Sequence, residues 1–369
     1  MMTIPCYYAK GGSEAIVHSL PTMLNDKNVQ TDVMTFNMDR KWNPRWQGAI
    51  VREHGFSVYQ IPALNWLPIT HSNRITLGIN VIPGRFTNIL RDYDIIHFHE
   101  LEFSFPLFSS LQRKKKILHL HGIDTNFLKR YGITKTFLKR IPDLIIAISD
   151  RMKKDLQTLG IPDRMIAHLP NGVDTNFFLP SGHKESNLLL FVGRIAPGKG
   201  LHVLIESLKF VKKPVHLVII GPRDYDLRYY QNVLELIEKE NMRARHKITY
   251  IGPLERTKIV EWYQKASLFI LPSFTEGFAV SILEALSCET PVIATPVGGV
   301  LDIVKSYQNG LLVPLNKPSK LGEAIQYLLE NEETRSKLGR AGRRLVVEKY
   351  SLENMVARLC KIYEQLLSY

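Results

Sequence analysis

Short apolar runs that do not alternate with polar residues recur along this chain, and nothing else in it narrows the fold as much. They read TDVMTF at 31–36, DIIHF at 94–98, KILHL at 116–120 and LIIAI at 144–148 in the first half. In the second half they read NLLLFV at 187–192, VHLVII at 215–220, KITYI at 247–251, LFIL at 268–271, PVIA at 291–294 and LLV at 311–313. A strand covered on both faces reads as a continuous apolar run, whereas a half-exposed strand alternates. Amphipathic stretches, for example 13–25 and 149–159, lie between the runs. The alternation predicts an α/β chain of parallel sheets wrapped by helices.

With 369 residues the chain exceeds what one ordinary core accommodates, so two domains are expected. The boundary falls in Leu169–Ser186, which carries Pro170, Gly172, Pro180 and Gly182 and has no apolar periodicity. The expected division is 1–170 and 171–351. The last helix follows Ser351 as N-cap, and its apolar stripe (Met355, Val356, Leu359, Cys360, Tyr363, Leu366, Leu367) lets 352–368 pack back on the first domain. The start is unusual: the turn Gly11-Gly12 comes after only ten residues, with Pro5 among them. Either the first strand is short or the natural start lies upstream of Met1.

Charge and cysteine usage exclude several classes. No apolar run reaches the length of a membrane span, and Met1–Lys10 lacks the pattern of a secretory signal. Cys6, Cys288 and Cys360 are odd in number and far apart, which suits reduced thiols in a cytoplasmic protein. The net charge of +13 is densest from Arg113 to Lys154, where anionic lipid, nucleic acid or phosphorylated substrates are the candidate partners. Within it, Thr125–Ile141 interleaves Phe127, Leu128, Tyr131, Phe137 and Leu138 with cations, a pattern that suits docking on an anionic membrane surface as well as a solvated face. No stacking platform or recognition motif supports nucleic acid.

Two segments carry chemistry. Val192-Gly193-Arg194-Ile195-Ala196-Pro197-Gly198-Lys199-Gly200 is a strand end, a loop with two cations and a helix start. Arg offers a planar fork to phosphate oxygens, Lys a compact charge, and the helix start its backbone N–H groups, a set suited to a diphosphate. The spacing is not that of a Walker loop. Pro272-Ser273-Phe274-Thr275-Glu276-Gly277-Phe278-Ala279-Val280-Ser281-Ile282-Leu283-Glu284 leads from strand to helix, with the first turn expected near Phe278. Glu276 and Glu284 stand about two helical turns apart, and carboxylates accept vicinal hydroxyls well. Glu284 sits among Leu283, Ala285 and Leu286, a setting in which a carboxylate needs a partner. His97 and His99, with Glu100, suggest half of a metal site, but no third ligand stands at a suitable spacing.

Together, Arg194, Lys199 and the Glu276–Glu284 pair resemble the group 1 family of GT-B retaining glycosyltransferases. Gly11-Gly12-Ser13-Glu14, Ser149, Pro170-Asn171-Gly172-Val173-Asp174 with Phe177, Ile219-Ile220-Gly221, Thr295-Pro296-Val297-Gly298-Gly299 and Asn309-Gly310 resemble it too. The resemblance implies two Rossmann-like domains with parallel sheets and an interdomain cleft. It implies that Arg194 and Lys199 hold the donor diphosphate, Glu276 the transferred sugar and Glu284 the ribose. Gly193, Gly277, Phe278, Ala279 and Val280 would supply backbone near the phosphates, and Leu254 would border the base. Gly12 would lie on the loop facing the donor, and His121 would face the sugar. One departure stands out: Pro222 follows Gly221 and removes an N–H from that turn.

The implied activity is a metal-independent hexosyltransferase that takes a nucleotide-diphosphate sugar, UDP-sugar favoured, with no cofactor. Its acceptor would be a glycan, a lipid-linked molecule or a small hydroxyl compound of cell-envelope polysaccharide synthesis. The enzyme would be cytoplasmic, peripheral on the inner face of the membrane, and would bind no nucleic acid. A nucleotide-sugar epimerase of the same fold and a non-catalytic nucleotide-sugar-binding subunit are the alternatives.

Overall fold

The computed structural model describes residues 1–4, 12–37, 49–62, 88–99, 114–122, 138–140, 142–223 and 226–368. The chain divides into two compact units, Met1–Asn171 with Met355–Tyr369, and Gly172–Asn354.

In the first unit the strands are β1 (Met2–Ile4), β2 (Val33–Asn37), β3 (Ala49–Glu53), β4 (Phe56–Pro62), β5 (Ile95–His99), β6 (Lys115–Leu120), β7 (Leu144–Ala147) and β8 (Ile166–His168). They form one sheet in the order β3-β4-β2-β1-β5-β6-β7-β8. The pairings are parallel except β3 with β4, an antiparallel hairpin. β1 is three residues long and lies between β2 and β5. Helix α1 (Gly12–Asn25) opens on Gly12, and α2 (Asp150–Thr158) is capped by Ser149, whose Oγ accepts from the Met152 amide. Gly11, Glu100 and most of the basic stretch 125–141 lie outside the described residues.

The second unit holds β9 (Glu185–Val192), α3 (Leu201–Ser207), β10 (His216–Ile220), α4 (Leu227–Met242), β11 (Lys247–Gly252), α5 (Arg256–Lys265), β12 (Ala266–Leu271), α6 (Val280–Ser287), β13 (Val292–Ala294) and β14 (Gly310–Leu312). Helices α7 (Pro318–Glu330) and α8 (Glu332–Lys349) follow. The sheet order is β11-β10-β9-β12-β13-β14, all parallel. Leu189, Leu190, Phe191, Leu217, Val218, Leu268, Phe269 and Ile270 are fully buried, which is why these runs do not alternate.

The last helix, α9 (Leu352–Leu367), starts with the Ser351 hydroxyl accepting from the Asn354 amide. Its stripe of Met355, Val356, Leu359 and Tyr363 is buried, and all four belong to the first unit. Before the helix, Val173 and Ser351 pair within the second unit, through Val173 N–H to Tyr350 O and Leu352 N–H to Val173 O. Gly172 makes this contact possible, since a Cβ there would stand 2.8 Å from the Leu352 Cα.

Arg343 on α8 ties the unit's first turn to its helices. Its Nη1 donates to the carbonyls of Thr175, Phe178 and Ser287 and to the Ser287 hydroxyl. Losing the guanidinium takes this donor from the Thr175 and Ser287 carbonyls and leaves the Phe178 carbonyl only the Ser287 hydroxyl. Arg343→Met is expected to lower the stability of this unit by about 2–4 kcal/mol, read from the urea midpoint at unchanged m-value.

Candidate active site

Counting from β9, the second sheet runs 3-2-1-4-5-6, so the connections from β9 and β12 depart towards opposite edges. Ligands of open parallel sheets bind beyond the strand ends at such a point of divergence. The two segments picked out from the sequence are the ones that leave these strands: 193–200 follows β9 and 272–279 follows β12.

Backbone contacts fasten the segments together. The Phe274 amide donates to the Gly198 carbonyl at 2.8 Å. Gly200 is left-handed at φ +66, and a Cβ on it would meet the Pro272 carbonyl at 2.1 Å, so only glycine fits. Gly298, at φ +48, would drive a Cβ to 1.7 Å from the Glu276 carbonyl. The Thr295–Gly299 turn is thus a backing plate for the Glu276 turn, and the Thr295 hydroxyl donates to the Ser273 carbonyl behind it. On the other side, the Gly193 amide donates to the Ile220 carbonyl and the Ile195 amide to the Pro222 carbonyl. The Pro222 carbonyl therefore acts as an acceptor that braces the cation loop.

Lys199 Nζ stands 2.7 Å from Glu276 Oε1, and the Ser273 hydroxyl donates to the same oxygen at 2.6 Å. The Glu276 side chain is 7% exposed, so the carboxylate relies on these donors in place of water. Both contacts fall on Oε1, which leaves Oε2 for an incoming hydroxyl. Lys199 has two further N–H groups beyond the one it spends on Glu276. Arg194 is exposed on the same loop.

Helix α6 begins at Val280, two residues later than expected, with no side-chain cap. The Val280 amide is spent on the Phe278 carbonyl at 3.0 Å, so among the residues expected to meet phosphate this N–H is already engaged. Phe278 and Ala279 precede the helix and are buried. Gly277 lies under Gly299, where a Cβ would meet the Gly277 carbonyl at 2.6 Å. Leu254 is half-buried just beyond Gly252, whose carbonyl accepts from the Gly221 amide at the end of β10.

Glu284 has the partners its apolar surroundings demand. The Tyr263 hydroxyl donates to Oε2 at 2.9 Å, and Arg256 Nη2 stands 3.6 Å from Oε1. The Arg256 guanidinium also lies over the rings of Phe178 and Phe177. Burial pushes the Glu284 carboxyl upward, while Arg256 and the Tyr263 hydrogen bond pull it down.

His121 follows β6 in the first unit and joins a stack of imidazoles. His97 and His99 share one face of β5, and the register His99↔His119 puts His119 beside them. His99 Nδ1 is 2.9 Å from His121 Nε2, and His97 Nδ1 is 2.6 Å from the Tyr363 hydroxyl. Enclosure of the His121 ring pushes its pKa down to about 4, so it is neutral at pH 7. The third imidazole that sequence spacing did not offer to His97 and His99 is that of His119 on the neighbouring strand, with one nitrogen from each within 4.8 Å of the others.

Residues 174–345 match the family model described as glycosyl transferases group 1, and residues 10–177 match that of glycosyltransferase family 4. An uncharacterized glycosyltransferase of Methanocaldococcus jannaschii is 32% identical over 80% of this chain and 80% of its own length. The chain belongs to the group 1 glycosyltransferases. Sucrose-phosphate synthase from Thermosynechococcus elongatus superposes with a TM-score of 0.80 at 20% identity, covering 100% of this chain and 98% of its own. Anabaena HepE in complex with UDP and glucose superposes with a TM-score of 0.76 at 17% identity, over 98% of both chains. These likenesses show the GT-B fold.

In this glycosyltransferase the structure brings Arg194, Lys199, Glu276, Glu284, Leu254 and the 277–280 backbone into one unit, while Gly12 and His121 belong to the other. Sequence reading quoted Ser273 and Thr295 within motifs but gave them no role, and it missed Tyr263 and Arg256. Ser273 stood three residues before Glu276 and was readable as its donor; Tyr263 and Arg256 arrive from a separate helix and left no local signal.

Burial raises the Glu284 pKa in the folded chain above its unfolded value. Its share of stability is therefore fully present below the ordinary carboxylate range and is lost as pH rises through the raised value. Glu284→Gln removes that loss, so the variant should gain stability over the wild type as pH climbs towards neutrality, in paired urea midpoints. The same variant should raise the donor KM about tenfold if the carboxylate holds a sugar or ribose hydroxyl.

Proposed function

We propose that this enzyme moves a hexose from a nucleoside-diphosphate sugar, of UDP type, to a hydroxyl acceptor with retention of anomeric configuration. The observation that carries the reading is the Lys199–Glu276 pair at the divergence of β9 and β12: an ammonium and a carboxylate 2.7 Å apart where such sheets take ligands. Family membership favours transfer over the epimerase and the non-catalytic alternative. The UDP in the HepE complex is in keeping with a uridine donor.

In this reading Lys199 and Arg194 meet the diphosphate, with the amides of Phe278 and Ala279 as further donors. The sugar C1–oxygen bond breaks, and its electron pair goes to the diphosphate, whose growing charge these groups stabilise. The acceptor oxygen bonds to C1 on the face the diphosphate leaves, and its proton passes to the departing phosphate oxygen. Protein cations do the neutralising at the diphosphate, so this step takes no metal. Glu276 Oε2 accepts sugar hydroxyls. Its Oε1 is held by Lys199 and Ser273, which blunts the carboxylate as a nucleophile and favours direct transfer over a covalent intermediate. Glu284 Oε1 serves the ribose, sharing it with Arg256, and Leu254 borders the base. By family resemblance His121 and Gly12 are the first unit's contribution.

No helix of the described residues is long and apolar enough to cross a membrane. The basic, aromatic-laced stretch 113–154 fits a cytoplasmic enzyme resting on anionic lipid and serving a lipid-linked or envelope-glycan acceptor. Flotation with anionic but not neutral liposomes is the expected result, and equal flotation with both removes the membrane from the scheme.

A panel of nucleotide sugars, with and without acceptor, should release nucleoside diphosphate for one donor class. Lys199→Ala and Glu276→Gln should each lower kcat at least 10²-fold with the circular-dichroism spectrum retained. Full activity in either variant refutes the assignment. The product's anomeric proton coupling reports retention directly.

A further inference from the structure

Unit 1 carries a cluster that the transfer reaction does not use. His97 and His99 leave β5 on one face, and His119 leaves β6 on the same face through the register His99↔His119. The rings stack, with centroids 4.4 Å apart for His97–His99, 5.0 Å for His99–His119 and 5.4 Å for His97–His119. One ring nitrogen from each of the three lies within 4.8 Å of the others, and all three residues are buried.

Four ring nitrogens of the cluster have no hydrogen-bond partner. His97 Nε2, His99 Nε2 and both nitrogens of His119 are buried and unsatisfied. Buried polar atoms are nearly always partnered, and four orphans in one place are more than packing explains. Leucine or phenylalanine would fill the same space without leaving any. The other nitrogens are arranged differently. His97 Nδ1 is bonded to the Tyr363 hydroxyl and His99 Nδ1 to His121 Nε2. An outer partner on one nitrogen is what fixes the tautomer and the angle of a metal-bound imidazole, and here it leaves Nε2 of His97 and of His99 unspent.

We propose that His97, His99 and His119 form a binding site for a divalent transition-metal ion of the zinc class. Two histidines two apart on one strand and a third from the strand beside it make a three-imidazole set, the kind that leaves a fourth position for water or another ligand. Binding draws the nitrogens to about 3.3 Å from one another, as bonds of about 2.0–2.1 Å require. Small ring rotations supply the movement. The ion fixes the carboxyl-terminal ends of β5 and β6 and, through His99, the orientation of His121. His97, His99 and His119 belong to unit 1, whereas Arg194 and Lys199 belong to unit 2.

The test uses the full chain without an affinity tag, stripped with a chelator and titrated with Co2+ and then Zn2+. Wild type should take up Co2+ with the visible bands of nitrogen coordination, lose them when Zn2+ is added, and melt several degrees higher with Zn2+. His119→Phe, which preserves the ring stack but removes a ligand, should weaken Co2+ binding at least 10²-fold. X-ray absorption of the Zn2+-loaded wild type, which needs no variant to fold, should count three or more imidazoles on the metal. Absence of Co2+ bands in the wild type, fewer than three imidazoles, or undiminished binding in folded His119→Phe overturns the proposal. None of these readouts involves sugar transfer, so they stand or fall separately from the proposed activity.

Discussion

The second unit depends on the divergence of β9 and β12. Two parallel neighbours whose chains leave in opposite directions open a gap beyond their ends, and the two loops bordering it must meet without a strand between them. Glycine makes that meeting possible: Gly200 against the Pro272 carbonyl and Gly298 against the Glu276 carbonyl leave no room for a methyl group. Backbone closure then presses Lys199 and Glu276 together. The ion pair is a product of the closure, and it needs it, since an exposed pair of this kind contributes little and a nearly buried one is held only by good geometry.

The two carboxylates are provided for in different ways. Glu276 is matched by an ammonium and a serine hydroxyl, Glu284 by a phenol and a guanidinium braced on two phenylalanine rings. Each has a cation and a hydroxyl donor from the protein itself. Under the proposed function, a diphosphate beside Lys199 would share that ammonium with Glu276, which would couple phosphate binding to the freeing of carboxylate lone pairs at a single nitrogen.

The sequence was most legible where burial on both faces erased alternation. The runs at 187–192, 215–220 and 247–251 correspond to β9, β10 and β11 within two residues. Less legible was the hairpin β3–β4. Its turn is His54-Gly55, both at positive φ, a two-residue turn that fits antiparallel strands. The His-Gly pair was the available signal, and its strands are short and mixed. The site residues fixed by chain neighbours, Lys199 and Glu276, were readable. Those fixed by register were not: whether His119 lies beside His99 depends on how β5 and β6 align, and a slip of one residue would send it to the opposite face. The start of α6 was misplaced because Gly277-Phe278 reads as a helix start, while Ala279, at φ −81 and ψ 85, makes a tight turn in which the Val280 amide donates to the Phe278 carbonyl.

The closing helix α9 gives the chain an order of assembly. The second unit is one continuous stretch, Gly172–Asn354, whereas the first is assembled from two pieces far apart in sequence. Tyr363 reaches His97 across 266 positions, and Arg358 reaches the His168 carbonyl across 190. On the ribosome the amino-terminal sheet emerges first but waits for its last helix, with the apolar surface later covered by Met355, Val356 and Leu359 open to water. The carboxyl-terminal unit has all its strands before that helix is made. The usual vectorial order, first domain first, is reversed here: the half synthesised second is the first to have all its elements, and the half synthesised first is the last to be closed.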